Sequence, residues 1–248
     1  MKIIKYIFGI ILLSSTSAFG QMYIIDFDSS PAGNISAGDE VTNQYSAWGV
    51  NFEYVQSSTS RPGLKLWAFD SGANQNGIDD DLETPGDGTV GSGNTASDWA
   101  NNNYIFGNTQ GADNVLIIQE QNNNTTPDDD SRGGIMNIIF DTAVTFNDIG
   151  ILDIDDLGGD RPNSFIRFFD DLDVQIGTGY LIAELGNNSY QEVHFETFEV
   201  RRAEIEFGGS GAITGLKFTA QVPEPSTYGV IGAFFLSGLI YFRRRKLR

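Results

Sequence analysis

Apolar residues fall in short runs along most of this chain. Segments 22–27, 49–55, 64–69, 114–119, 134–140 and 143–154 are rich in Ile, Val and Phe, and 164–169, 179–184, 191–197, 201–207 and 213–220 continue the series. They are bounded by Gly, Asn, Asp or Pro, residues whose backbone preferences supply turns, and runs of this kind predict β-strands. In one of them Ala203, Ile205 and Phe207 alternate with Arg202, Glu204 and Glu206, which predicts a strand with one wet face. Gly208, Gly209, Ser210 and Gly211 then turn the chain into the final strand. No segment of the body has a 3.6-residue period, although 97–103 has room for one helical turn. Many short strands with glycine-rich turns predict an all-β fold, a single β-sandwich or jelly roll over residues 21–222. The pair Phe-Asp recurs at Phe27, Phe69, Phe140 and Phe169 at irregular spacing, and reads as strand ends meeting turns. Two polar stretches, 71–98 and 120–133, are too long for simple connections, and loops of that length are functional, metal-ordered or disordered.

The two ends depart from this pattern. Residues 1–20 carry Lys2 and Lys5 before a short apolar stretch, then the small residues Ala18 and Gly20, the layout of a secretory signal peptide cleaved between Gly20 and Gln21. Its apolar core is far shorter than the ~20 residues of a membrane span. At the other end, 226–242 is a second apolar segment, long enough as a helix to cross a thin bilayer at 1.5 Å per residue. It is followed by Arg243, Arg244, Arg245, Lys246 and Arg248, cations that stay on the cytoplasmic side and leave the body outside. Before it stands Val222-Pro223-Glu224-Pro225, a stiff extended segment lacking two backbone donors and therefore accessible to an enzyme.

This order of VPEP, apolar helix and Arg-rich tail resembles the PEP-CTERM sorting signal of Gram-negative bacteria. The resemblance covers about 25 residues at 223–248. It implies Sec-dependent export, a transient stay in the inner membrane and an exosortase that recognises Pro223-Glu224-Pro225 and removes the helix and tail. Release or attachment at the cell surface or in the extracellular matrix follows, often beside exopolysaccharide. The body resembles other secreted PEP-CTERM ectodomains through FDSSPAG (27–33), VTNQYSAWGVNF (41–52), NVLIIQE (114–120), PDDDSRGG (127–134), FDTAVTFNDIGILDIDD (140–156) and FGGSGAITGLKF (207–218). That likeness implies a β-sandwich and carries no settled activity.

Charge sharpens the picture. The whole chain has 33 acidic and 15 basic residues, and 21–222 keeps 32 of the acids but only 8 of the bases, a net charge of −24. Such a body is a poor partner for nucleic acid. With no cysteine and one histidine, it has no disulfides, no thiolate metal site and no helical zinc-protease motif.

The acids cluster at Asp79, Asp80, Asp81 and Glu83; at Asp128, Asp129 and Asp130; at Asp153, Asp155, Asp156 and Asp160; and at Asp170, Asp171 and Asp173. Calcium takes six to eight oxygen ligands of this kind, so the second and third clusters are candidate calcium ligands, Asp153, Asp155 and Asp156 first. The spacing is not that of an EF-hand, because Arg132 and Leu157 occupy the fifth positions. The alternative is a solvated acidic surface.

For sugar binding, flat aromatic rings with nearby amides are the expected chemistry. Trp99, Asn101, Asn102 and Tyr104 in the first polar stretch are the candidates, whereas Trp48 and Trp67 sit in strand-like runs and read as core. His194, on an expected strand among polar residues, reads as a surface or packed residue. No nucleophile elbow or phosphate-cradling glycine motif is present. The expectation is an exported, non-enzymatic surface or matrix module, calcium-stabilised and polysaccharide-binding. The alternatives are a polysaccharide-active hydrolase with an Asp/Glu pair and a structural coat protein.

Overall fold

The computed structural model describes residues 20–72, 80–84, 111–120, 128–154, 162–186 and 188–221. Residues 1–19 of the expected signal peptide, and the expected sorting segment from Val222 with the apolar and basic residues after it, lie outside these. No helix among the described residues is long and apolar enough to cross a membrane.

The strands in chain order are β1 (Met22–Ile25), β2 (Ser29–Ser30), β3 (Gly33–Asn34), β4 (Val50–Val55), β5 (Lys65–Asp70), β6 (Asn114–Gln119) and β7 (Gly134–Leu152). They continue with β8 (Phe165–Phe169), β9 (Gln175–Leu181), β10 (Tyr190–Phe207) and β11 (Ala212–Ala220). The all-β expectation therefore holds. Among the described residues, nine strands join one antiparallel sheet in the order β5-β6-β11-β7-β10-β8-β9, with β1 added to β11 and β4 to β7.

Two runs expected as separate strands on either side of 141–142 are one strand, β7, and likewise β10 absorbs two. Both strands pass through two halves of the sheet. Before the bend, β7 pairs with β4, and Val50 faces Phe140; after it, β7 pairs with β11, and Ala220 faces Val144. Asp141 and Thr142 at the bend are exposed. The register slips by several residues there, since Val200 faces Val144 but Arg202 faces Ile139. Bulges and bends of this kind let one strand serve two packed layers.

The halves close on each other through phenylalanines. Phe140 of the first half of β7 packs on Phe218 of β11, ring centroids 5.1 Å apart, and Phe146 beyond the bend packs on Phe168 of β8 at 5.0 Å. Met136, Ile138, Phe140, Val144 and Phe146 are all buried at alternate positions. The parity then shifts to Ile149 and Ile151, because Asn147 is an extra residue opposite the step from Lys217 to Phe218.

Trp67 of β5, Phe69, Val115, Ile117, Leu152 and Tyr190 form a smaller apolar layer on the outer face, capped by Leu82 of the 80–84 segment. That segment is tied down by Thr84 and Ser71, whose hydroxyls lie 2.5 Å apart, and by the Asn188 amide donating to the carbonyls of Asp81 and Glu83. Trp67 is core, and Trp48 packs half-buried on Tyr23 and Tyr45.

The alternation seen in 202–207 also holds. Ala203, Ile205 and Phe207 are buried, while Arg202, Glu204 and Glu206 lie on the other face. There Arg167 bonds Glu204 and Glu206 at 2.9 and 2.6 Å, and Arg202 bonds Glu204 and Asp173 at 2.8 and 2.6 Å. Arg202 also lies over the Phe169 ring at 3.8 Å. The expected strand at 179–184 is displaced: β9 begins at Gln175. Asp170 closes a tight hairpin after Phe169, its carboxylate accepting the Leu172 and Val174 N–H groups at 2.9 Å each.

Candidate functional site

The β8–β9 hairpin and the free side of β10 frame a groove. Two local irregularities build it. In β9 the register moves from Ile176 facing Phe168 to Tyr180 facing Ile166, so four steps on β9 answer two on β8. The surplus is taken up by Gly177, Thr178 and Gly179, with Gly177 at φ +68°, a left-handed geometry that glycine adopts without strain. A side chain at Gly179 would stand 3.2 Å from Cγ of Arg167, which passes beneath it.

In β10, Thr197 faces Phe146 and Val200 faces Val144, so Phe198 and Glu199 together oppose one residue. Glu199 sits at φ +62°, unusual for a residue with a side chain. Phe198 keeps step with the exposed His194 and Glu196 and is 60% exposed, whereas Val200 beyond the bulge is turned inward and buried.

Between these walls lies an open cleft of about 500 Å³. Phe168 and Phe195 meet edge to face at 4.9 Å, and Tyr180 meets Phe195 at 5.5 Å and 83°. Phe198, Thr178, Thr197 and Glu196 also border the cleft. Its size lies within the ~300–1,000 Å³ usual for small-molecule sites. An exposed ring, three further aromatics, hydroxyls and a carboxylate suit a ligand with both apolar faces and hydroxyl groups.

A second cleft, of about 250 Å³, lies between β1, β11 and residues 111–113. Asp26, Asp28 and Asp113 border it. Burial pushes the Asp28 carboxyl above its ordinary range, and the neighbouring charges of Asp26, Asp113 and Asp70 add to this, against a hydrogen bond from the Asn114 N–H. It is smaller than most ligand sites.

The acidic candidates have structural partners. Asp129, buried, accepts the Gly211 N–H at 2.5 Å and the Ser210 hydroxyl at 3.2 Å. Burial pushes its carboxyl up to about 8, with the charges of Asp81 and Asp128 contributing. Asp128 is also raised, by burial and then by Glu120 and Asp81. Asp130 accepts the Arg132 N–H at 3.0 Å and lies 3.9 Å from Arg61. Asp153, at φ +59°, accepts the Asn188 N–H at 2.7 Å. The fold thus brings Asp81 to Asp128 and Asp129. Among the described residues no group of three or more acidic or histidine side chains is arranged to hold a metal ion. Asp155, Asp156 and Asp160 lie outside the described residues, as do Trp99, Asn101, Asn102 and Tyr104.

His194 is half exposed and pairs with Asp148, which also meets Lys217 at 3.5 Å. Phe198, Tyr180, Phe195 and Glu196 were not among the sequence candidates. Their signal was the spacing Phe195, Phe198, Val200, which breaks a period of two and marks a bulge.

No family model and no curated protein matches the chain. Among solved structures, the His 62 mutant of the lectin binding domain of lectinolysin complexed with Lewis b is similar at a TM-score of 0.28 and 10% identity, covering 68% of this chain and 100% of that one. At that score the likeness carries no inference about fold or ligand.

Proposed function

We propose that the protein is an exported, non-enzymatic glycan-binding module. An exosortase acting at Pro223-Glu224-Pro225 delivers it to the surface or matrix of a Gram-negative cell. The folded-over sheet serves as a β-sandwich scaffold, and the groove between β9 and β10 is the binding site. The observation that carries the binding reading is Phe198, a large apolar ring 60% exposed on the cleft that Tyr180, Phe195 and Glu196 also border. A pyranose presents an apolar C–H face and a hydroxyl rim; the rings take the face, and Glu196, Thr178 and Thr197 take the rim.

Phe198→Ala is expected to lower affinity for the host's matrix polysaccharide at least tenfold while leaving the thermal midpoint within about 2 °C, since the ring is mostly outside the core. Titration calorimetry and thermal unfolding check this, and unchanged affinity would remove the groove from the reading.

The sorting reading rests on the order of VPEP, apolar segment and basic tail. The intact mass of the exported protein is expected to lack residues 226–248 in a strain with active exosortase and to keep them in a strain without it. Retention in both strains would sink the sorting reading.

A further inference from the structure

The groove is bordered by one fully ionisable side chain among its described residues, and that side chain is an acid. Glu196 stands exposed on its β10 wall, with Glu199 three residues on, also exposed. Of the cations on β8 and β10, Arg201, whose buried Nε has no hydrogen-bond partner, does not border the cleft, and the other two are engaged by acids. Arg167 is held by Glu204 and Glu206, and Arg202 by Glu204 and Asp173. The body around the groove carries −24. A carboxylate or sulfate ligand would meet uncompensated negative charge, whereas an ammonium would meet Glu196 and the aromatic faces of Phe198 and Tyr180, both attractive to a cation.

We propose that the groove selects amine-bearing glycans, sugars with a free ammonium on the ring, and discriminates against uronates. The proposal rests on the glycan-binding reading above and adds the charge of the ligand to it. The ring face stacks on Phe198, and the ammonium pairs with Glu196.

The test compares three oligosaccharides of equal length on the full chain purified in detergent: a glucosamine oligomer, its N-acetylated counterpart and a uronate oligomer. The first two share the ring and differ in charge. At low salt the glucosamine oligomer is expected to bind at least tenfold tighter than the acetylated one, and the uronate weakest. The preference should shrink at about 0.5 M salt, where screening is short-ranged.

Glu196→Gln is expected to bring the glucosamine and acetylated oligomers within threefold of each other, while Glu53→Gln, at an exposed carboxylate on β4, which β7 separates from β10, leaves the preference intact. Equal affinity for charged and acetylated oligomers, with Phe198→Ala still weakening both, would overturn the selectivity and leave the glycan reading standing. So would a preference that Glu53→Gln erases as well as Glu196→Gln does, because it would belong to the whole acidic body. Binding by none of the three, or binding indifferent to Phe198→Ala, would overturn both.

Discussion

Gly133→Ala is expected to destabilise the protein by more than about 4 kcal/mol, enough to abolish folding at 37 °C in a domain of ordinary stability. Two effects combine. Gly133 has φ +63°, where a side chain costs roughly 1 kcal/mol. A Cβ there would also stand 2.0 Å from the Phe207 carbonyl oxygen and 2.9 Å from that of Gly209. These are backbone atoms at the end of β10, so no rotamer change relieves the collision, and the turn must move as a body. Moving it would pull Gly211 and Ser210 from the Asp129 carboxyl they bond.

Gly63→Ala separates the two effects. Gly63 has φ +73° but nothing within 4 Å of a new Cβ, so it should lose only the conformational part, about 1 kcal/mol. Chemical unfolding of the two variants checks the contrast. Equal losses would show that the approach of the 130–134 turn to Phe207 is looser than described.

Much of this architecture was legible in the sequence because it rests on alternation. The spacing of Ala203, Ile205 and Phe207 fixes a buried face, and the four Phe-Asp pairs do stand where strands end or bend: Phe140-Asp141 at the bend of β7, Phe169-Asp170 at the hairpin. What alternation cannot carry is continuity through a fault. Asp141 and Thr142 look like a turn, yet the chain resumes the same direction of pairing with a new partner, so two apparent strands are one. At 177–179 glycine hides the start of β9, since a strand there has few side chains to show a period.

The groove was illegible for the same reason. Its two walls are irregularities: Phe198 shares the parity of the wet positions Glu204 and Glu206, but the surplus residue that turns Val200 inward, and the glycine surplus in β9, are settled only by pairing. The acids were conspicuous as a class, but their roles depend on distant backbone. Nothing local to Asp129 says that it will bond Gly211, 82 residues away.

Stability is expected to fall as pH rises from about 4 to about 8, with Asp129 the main cause. In the unfolded chain this carboxyl loses its proton near 4. In the folded protein burial among Asp81 and Asp128 holds the proton up to about 8. Between those values the folded state binds one proton more than the unfolded state, so the slope of unfolding free energy against pH is negative there. Below about 4 both states are protonated and the advantage is complete; above about 8 both are ionised and it is lost. Asp28 and Asp128, also raised, act in the same direction, as does self-repulsion in a body of −24.

A displacement of this size corresponds to several kcal/mol at most, or roughly 5–15 °C in thermal midpoint for a domain of this length. Asp129→Asn isolates the group. The amide is neutral at every pH, its oxygen still accepts the Gly211 N–H, and its NH₂ can donate to the Ser210 hydroxyl. The variant should match the wild type near pH 5 and exceed it near pH 9, flattening the slope. Thermal unfolding of both from pH 4.5 to 9.5, in chelator so that no cation masks the carboxylates, checks this. Parallel curves would mean that Asp129 is ionised in the folded protein, its charge met by groups beyond Gly211 and Ser210, and the acidic end of the domain would then have to be read as a charge-compensated site.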